Sequence, residues 1–213
     1  MTTVKRSNKR SEKAKATRAR IIEAARELFL ERGYGATPLQ EIADRAGVAV
    51  QTIYFVFGNK RTLLKELVDV TVAGDHEPTA TTERPWFHSV LDAETADEQL
   101  RIHVHGSREV LERVAPLVQM VDTAAATDAD VAEMWPADQR PRYEVQDAAA
   151  QALVTKPGAR PDITAEHAAD ILFAVLSTEM FLLLVHIRHW TADQWEQWSY
   201  LTLRAHLCAD VSV

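Results

Sequence analysis

Three short helical patterns separated by short turns limit the possible folds of this chain more than any other feature of its sequence. Apolar residues recur at helical spacing from Ile21 to Phe29, and Gly33 follows as a stop signal. A second pattern ends at Gly47, and a third covers residues 50–56. Because so few residues join the second and third patterns, their helices must meet at a sharp angle. The spacing predicts a helix-turn-helix, whose second helix can enter the DNA major groove.

The expected helix boundaries rest on capping residues. Thr37 and Pro38 precede the second pattern and Gln40 follows three residues after Thr37. This order predicts a capping box in which Thr37 is the N-cap and Pro38 the first helical residue. Asn59 is the expected N-cap of a fourth helix, and Lys60 begins its first turn. A cation at that position is unfavourable unless an anion binds there, so a DNA phosphate is one explanation; extension of the side chain into water is the other.

Charge is unevenly distributed along the chain. The formal net charge is -7, yet residues 1–61 carry 13 basic and 6 acidic residues, and residues 62–213 carry 11 and 25. A basic segment on an acidic chain is the electrostatic pattern of a polyanion-binding module. Residues 1–16, with almost no apolar content, predict a flexible basic arm. A disordered tail without a partner is the alternative explanation.

Composition excludes several protein classes. A chain of 213 residues is long enough for one or two domains with a buried core. The single cysteine, Cys208, cannot form an internal disulfide, which favours a reducing, cytoplasmic environment. We find no signal-peptide core and no continuous run of 18 apolar residues, so we expect neither export nor membrane insertion.

Three segments together resemble one known family. They are Gly33 to Thr37, Ile42 to Val48 and Thr52 to Lys60. Within residues 17–64 these glycines, caps and aromatic residues are similar to the N-terminal domain of the tetracycline-repressor (TetR) family. The resemblance implies an all-α, homodimeric, ligand-responsive transcriptional regulator, usually a repressor. It implies a helix-turn-helix DNA-binding domain at residues 17–64 and an effector-binding and dimerisation domain at residues 65–213.

The resemblance also implies which residues contact double-stranded DNA. The positions that face base edges are Val50, Gln51, Thr52 and Phe55. The positions that hold phosphates are Thr37, Tyr54 and Lys60. An amide suits adenine and a ring suits the thymine methyl group. The chain departs from the family at Ala49, which removes a helix cap that stabilises by about 1 kcal/mol, and at Val56, where a phosphate-contacting side chain is frequent.

The rest of the chain reads as further helices without a strand pattern. A linking helix over residues 61–72 precedes a turn-rich break, and helical spacing returns over residues 97–114 and again after Pro116. Residues 168–187 are apolar on nearly every face, which predicts a helix covered on all sides.

The C-terminal helix carries a stripe of Trp195, Trp198 and Leu201. Such a stripe belongs either to the core or to a dimer contact. The resemblance implies a homodimer through the last two helices, and a two-fold dimer would bind a palindromic operator.

The resemblance places a small-molecule effector among the middle helices. The candidate pocket residues are Trp86, Phe87, His103, Met120, Met134, Trp135, Tyr143 and Phe173. Their aromatic and thioether groups suit a flat or apolar compound, although core packing is the more common role of such residues. We predict no cofactor.

An enzyme is the main rival class. The chain has no HExxH motif, and a pair of histidines such as His186 and His189 is by itself weak evidence for a metal. We therefore predict no catalytic residues and no metal site. A transcriptional activator, or a DNA-binding protein that responds to no ligand, stays open as an alternative.

Overall fold

The computed structural model describes residues 2–75, 79–134 and 140–209, with the side chains of residues 2–11, 134 and 140 left out of that description. In these ranges the chain is helical, and the one β-type pairing is an isolated bridge between Ala159 and Cys208. The all-α prediction is confirmed. The helices are α1 Thr2–Arg32, α2 Leu39–Ala46, α3 Val50–Phe57, α4 Lys60–Ala73, α5 Pro85–Asp92, α6 Ala96–Ala125, α7 Ala129–Met134, α8 Arg140–Leu153, α9 Ala165–Val175, α10 Thr178–Phe181 and α11 Ala192–Leu207. A 3₁₀ turn covers Thr81–Glu83, and a π-helical segment covers Leu182–Ile187.

The helices form two compact units. The N-terminal unit comprises residues 1–76 and 116–136, and the C-terminal unit comprises residues 77–115 and 137–213. Helix α6 contributes to both, because its sequence passes from one unit to the other at Pro116. The domain boundary at residues 64 and 65 stays a prediction.

The N-terminal unit is built around the buried faces of its first four helices. Helix α1 packs on α2 and α4, and α3 packs on both of these. Phe29, Ile42, Ile53 and Leu64 are almost fully buried in this core. Each falls on the apolar stripe of its helix, so burial of these stripes holds the short helices together.

Helix α1 begins earlier than the sequence predicts. The segment 1–16, expected to be a flexible arm, is helical from Thr2 onward and continuous with the core helix. Lysine and alanine are good helix formers, and extension of a helix that packing has already nucleated costs little. The flexible-arm prediction is therefore replaced by an N-terminal extension of α1.

The predicted capping box is wrong. Pro38, not Thr37, is the N-cap of α2, and no side chain caps that end. The Thr37 hydroxyl donates to the carbonyl oxygens of Gly33 at 2.9 Å and Leu28 at 3.3 Å, at the end of α1. Buried carbonyls there need a donor, whereas proline contributes no amide hydrogen at the start of α2. By contrast, Asn59 does cap α4, accepting from the Thr62 amide at 2.8 Å.

Helix α6 is continuous where a break was expected. Pro116 lies inside it, with Ala115 and Leu117 buried on either side. A proline in a helix removes one hydrogen bond, at a cost of about 3 kcal/mol. Burial of the flanking side chains offsets that cost, so the helix bridges the position.

The C-terminal unit joins its helices through packing and ion pairs. Helix α8 packs along α9, and α9 contacts α11. Asp97 on α6 accepts hydrogen bonds from Tyr200 at 2.6 Å and Arg204 at 2.9 Å, both on α11. These contacts fix α6 beside α11.

The apolar segment expected as one helix is interrupted. Helix α9 ends at Val175, and Ser177 caps α10 by accepting from the Met180 amide at 3.1 Å. The segment Ala165–Ile187 is long and apolar enough, by length and composition, to cross a membrane. A core helix of a globular protein has the same character, and Ala168, Leu172 and Phe181 are buried within the unit.

Candidate DNA-binding surface and effector region

Helix α3 presents a distinct outer face. Gly47 ends α2 in the left-handed conformation, with φ of 65°, which turns the chain sharply into α3. Ile53 and Phe57 point into the core. On the opposite side Tyr54 is 54% exposed and Phe55 is 91% exposed. A phenylalanine that is exposed to this extent is poorly solvated by water. This face of α3 is therefore suited to contact with a partner molecule.

The other predicted base-facing residues lie differently. Gln51 is exposed and stands one helical turn before Phe55. Thr52 is half-buried. Val50 is half-buried and packs partly against the core together with Val48, and its role at base edges stays a prediction. The exposed surface of α3 is formed by Gln51, Tyr54 and Phe55, with Val50 and Thr52 at its edge.

Two of the predicted phosphate ligands have partners inside the N-terminal unit. Thr37 is completely buried, and its hydroxyl serves the backbone, so its phosphate role is corrected. The Lys60 ammonium donates to the Tyr34 carbonyl at 2.5 Å and lies over the Tyr34 ring. Burial lowers its pKa. Lys60 therefore connects α4 to the end of α1, which explains a lysine in the first turn without any anion.

Several arginines of the N-terminal unit form ion pairs with carboxylates of the same unit. Arg45 pairs with Glu27 at 2.6 Å, Arg32 with Glu41 at 2.5 Å, and Arg61 with Asp130 at 3.2 Å. Exposed lysines and arginines lie instead along the first half of α1, at Lys13, Lys15 and Arg20. Positive charge available to a polyanion is thus concentrated on the N-terminal part of α1.

Three of the predicted effector residues meet in the C-terminal unit. The rings of Trp86 and Phe87 on α5 lie 6.5 Å and 6.2 Å from His103 on α6. A Cβ atom at Gly106 would stand 2.3 Å from the Trp86 ring, so the absence of a side chain there lets the indole pack on α6. Phe87 and His103 are buried, whereas Trp86 is half-buried.

Burial alters the acidity of the His103 side chain. Burial lowers its pKa to about 4, and no charged neighbour contributes to the change. Neither ring nitrogen has a hydrogen-bond partner within the described residues. The ring is therefore neutral at physiological pH and carries one unused donor and one unused acceptor.

The remaining effector candidates are dispersed. Tyr143 and Phe173 form a second aromatic pair, 5.5 Å apart, with the Arg142 guanidinium 3.6 Å from the Phe173 centroid. Met120 packs against the core of the N-terminal unit. The Met134 side chain and Trp135 lie outside the described residues.

Buried polar groups of the C-terminal unit were missed by sequence reasoning. Gln146 on α8 and Ser199 on α11 are buried, and their Oε1 and Oγ atoms have no partner among the described residues. The Trp195 indole nitrogen is in the same situation. A glutamine or serine inside an alanine-rich or tryptophan-rich helix gives no periodicity signal, because its burial depends on the neighbouring helices.

The predicted dimer stripe is divided between core and surface. Trp195 is fully buried against Phe181, 5.2 Å away, so its role as a dimer contact is corrected. Leu201 is 52% exposed. Leu183 and Ile187 in the π-helical segment are 45% and 66% exposed. Trp198, the third residue of the predicted stripe, is half-buried. Leu183, Ile187 and Leu201 are thus exposed apolar side chains of the last helices.

Residues 2–75, 79–134 and 140–209 contain no group of three or more histidine, cysteine, aspartate or glutamate side chains that could hold a metal ion.

A helix-turn-helix with an exposed second helix, followed by a separate helical unit, is the architecture of a class of DNA-binding regulators. The family model described as bacterial regulatory proteins, tetR family, matches residues 21–67. Relatives with this domain include TtgR, an HTH-type transcriptional regulator of Pseudomonas putida, 48% identical over 58 residues, or 27% of this chain and 28% of TtgR. The HTH-type transcriptional activator FasR of Mycolicibacterium smegmatis is 41% identical over 69 residues, 30% of this chain and 32% of FasR. Residues 21–67 therefore form a helix-turn-helix domain of the TetR type.

These sequence matches span less than a third of the length of TtgR and FasR. Similarity of fold extends further. The structure of SmeT in complex with triclosan has a TM-score of 0.71 at 21% identity, covering 92% of this chain and 93% of that one. Native NalD, the secondary repressor of the MexAB-OprM multidrug efflux pump in Pseudomonas aeruginosa, has a TM-score of 0.64 at 22% identity, covering 92% and 99%. At such identities the likeness extends to the fold alone.

Proposed function

We propose that the protein is a sequence-specific DNA-binding transcriptional regulator, a repressor released from a palindromic operator by a small-molecule effector. The observation that carries this proposal is the outer face of α3, where Phe55 is 91% exposed inside a TetR-family domain. The relatives named above are regulators, which argues against an enzyme.

The exposed side chains of α3 suit base readout. The Gln51 amide can donate to and accept from adenine, and the Phe55 ring can meet the methyl group of thymine. Thr52 offers a methyl and a hydroxyl at the edge of that face. The exposed Tyr54 hydroxyl would hold a phosphate, a contact that fixes position without reading sequence.

The exposed apolar residues of the last helices support a homodimer. Leu183, Ile187 and Leu201 are large aliphatic side chains that water solvates poorly. A second copy of the chain would cover them in a two-fold interface. Two copies of α3 would then enter successive major grooves about 34–36 Å apart, which requires an operator of two-fold symmetry.

The aromatic groups of the C-terminal unit support an effector site. The rings of Trp86, Phe87 and His103 form one aromatic group, in which Phe87 and His103 are buried. Two proteins of similar fold were solved with small molecules, SmeT with triclosan and a regulator from Saccharomonospora viridis with choline. An effector that prefers one conformation by about 3 kcal/mol weakens operator binding over a hundred-fold.

The direction of regulation has an alternative. NalD is a secondary repressor, whereas FasR is an activator. The same DNA-binding surface serves either role, because the outcome depends on the position of the operator relative to the promoter. We propose that the protein acts as a repressor in the cytoplasm.

In vitro transcription tests this function. We use a template in which the selected operator overlaps the promoter. The amount of transcript made from this template should fall at least tenfold when the protein is added. A matched template with a scrambled operator should be unaffected. Increased transcript from the native promoter would support the activator, and equal transcript from both templates would contradict regulation by specific binding.

A further inference from the structure

An ion pair joins helices α4 and α7 inside the N-terminal unit. Arg61, in the first turn of α4, contacts the carboxylate of Asp130 on α7, with 3.2 Å between the guanidinium nitrogen and the oxygen. Arg32 and Arg45 pair instead with carboxylates inside residues 21–67, the segment that the TetR family model matches. The partner of Arg61 thus comes from outside the helix-turn-helix domain.

Packing holds α7 beside the start of α4. The side chain of Val131 is completely buried in the core of the N-terminal unit, to which Leu117 and Val121 of α6 also belong. The carboxylate of Asp128, just before α7, accepts hydrogen bonds from the backbone amides of Asp130 at 3.0 Å and Val131 at 3.3 Å. The buried valine and these hydrogen bonds fix the backbone that carries Asp130.

The negative charge on this segment acts on the residues around the start of α4. Burial lowers the pKa of Lys60, and the charge of Asp128 opposes that change. Burial raises the pKa of Tyr34, and the charges of Asp128 and Asp130 raise it further. The charge of Arg61 acts on Tyr34 in the opposite direction. The carboxylates on and before α7 therefore lie within electrostatic range of the cations of α4.

The first turn of α4 follows closely on the exposed face of α3. Two residues separate the end of α3 from the start of α4. Arginine and lysine side chains near a recognition helix usually hold DNA phosphates. The Lys60 ammonium is used by the Tyr34 carbonyl, whereas the Arg61 side chain is 39% exposed and contacts a carboxylate at the surface. Arg61 is therefore the cation of this turn that a phosphate can take over.

The contact between Arg61 and Asp130 is of a kind that a phosphate can replace. The Asp130 side chain is 74% exposed. Exposed ion pairs contribute little to stability and are screened by salt, so the fold does not depend on this contact. A guanidinium matches the geometry of a phosphate as well as that of a carboxylate. While α7 stays in place, however, a phosphate competes with an anion of the same chain at high local concentration.

We propose that Asp130 occupies the position of a DNA phosphate at Arg61, so that α7 lowers the affinity of the protein for DNA. The inference rests on the proposed function for DNA binding, and not on the effector or the direction of regulation. The chain passes from the N-terminal unit to the C-terminal unit between Pro136 and Ala137, shortly after α7. A change in the C-terminal unit that draws α7 away would release Arg61 and tighten DNA binding.

A double-mutant cycle on the full chain tests this inference. Fluorescence anisotropy measures binding of a selected operator and of a random-sequence duplex across a salt series. We expect Asp130→Asn to bind both duplexes at least threefold more tightly, with a salt slope that steepens by about one, because one more phosphate is contacted. Arg61→Met alone should change little, and its addition to Asp130→Asn should abolish the gain.

The matched control is Asp69→Asn, which removes the same charge from the N-terminal unit. Asp69 pairs with Lys65 at 2.7 Å and lies about 12 Å further along α4 than Arg61, so this variant should leave DNA binding unchanged. The Tm of each variant should stay within about 2 °C of that of the original chain. The hydrogen bonds of Asp128 to the α7 backbone do not involve the Asp130 side chain.

The outcomes separate this inference from the proposed function. An equal gain from Asp130→Asn with and without Arg61 would overturn the inference, because loss of a negative charge alone would explain it. Unchanged binding by Asp130→Asn would also overturn it and assign the pair to the fold. Either result with operator binding retained leaves the regulator intact. A gain that depends on Arg61 but is seen on every duplex, with no operator selected, would support the competition and overturn the proposed function.

Discussion

Lys60 donates a hydrogen bond to the backbone carbonyl of Tyr34, with 2.5 Å between Nζ and the oxygen, and its ammonium lies 4.3 Å from the centroid of the Tyr34 ring. This contact joins the first turn of α4 to the turn that follows α1. A residue whose position in the sequence favours a phosphate is thus used to hold the N-terminal unit together. The orientation of α3, which lies between these elements in the chain, depends on that connection.

Replacement of Lys60 by methionine should lower the stability of the fold and leave the salt dependence of DNA binding unchanged. We expect the free energy of unfolding to fall by about 1–2 kcal/mol, because a hydrogen bond from a charged donor and a cation–π contact are both lost. Lys65→Met, which removes a surface pair with Asp69, should cost about 0.5 kcal/mol or less. Chemical unfolding measures both. A salt slope of DNA binding that drops by about one, with stability unchanged, would instead assign Lys60 to a phosphate.

Replacement of Phe55 by alanine should weaken DNA binding and leave the fold unchanged. The ring is 91% exposed, so we expect a change in unfolding free energy within about 0.5 kcal/mol. Specific operator affinity, measured by fluorescence anisotropy, should fall at least tenfold, and replacement of the contacted thymine by uracil should reproduce much of that loss. Leu30→Ala on α1 is the matched control for an exposed apolar side chain. Equal affinity of the Phe55 variant for operator would exclude this contact.

His103 should make stability depend on pH. Burial lowers the pKa of this histidine from 6.5 to about 4, so below pH 6.5 the unfolded chain takes up a proton that the folded chain does not. Stability is therefore highest above pH 6.5 and falls as the pH drops toward 4. We expect this group to cost about 2 kcal/mol at pH 5, on the order of 3 kcal/mol at the limit.

The comparison that isolates this group is His103→Gln. Urea unfolding at pH 7.5 and pH 5 should show a smaller loss in the variant than in the original chain by about 2 kcal/mol. Identical losses in the two proteins would show that His103 is not buried as a neutral ring.

Introduction of a charged side chain among the exposed apolar residues of the last helices should weaken the proposed dimer. Ile187→Glu or Leu201→Glu would bury a carboxylate in the proposed interface, so we expect the dimer dissociation constant to rise more than a hundred-fold by sedimentation. Ser89→Glu adds the same charge to an exposed position on α5 and should leave the assembly unchanged. A dimer of unaltered affinity in both interface variants would place the interface elsewhere.

In the N-terminal unit, local sequence signals were sufficient to predict most of the helices. The apolar stripes, the αL glycine at Gly47 and the cap at Asn59 act within a few residues, so the sequence alone predicts the observed turn and the start of α4. Thr37 shows where this reasoning fails. Its hydroxyl could satisfy either the start of α2 or the end of α1, and only the packed structure decides between donors and acceptors on neighbouring helices.

Tertiary contacts explain the other differences. Pro116 is accommodated because the turns on both sides are buried, a condition that no local pattern contains. Trp195 and Leu201 belong to one predicted stripe, yet Trp195 is core and Leu201 is surface, because residues six apart lie about 120° apart around an α-helix.

Selection of the purified full chain against random duplex DNA, with the winning site re-measured across a salt series, tests directly whether the protein binds a specific sequence. We expect a consensus of two-fold symmetry, with half-sites about one helical turn apart and a salt slope that corresponds to several phosphate contacts. Enrichment of no sequence, with binding that depends on salt alone, would contradict a sequence-specific regulator and leave only a non-specific polyanion-binding helix at the N-terminus.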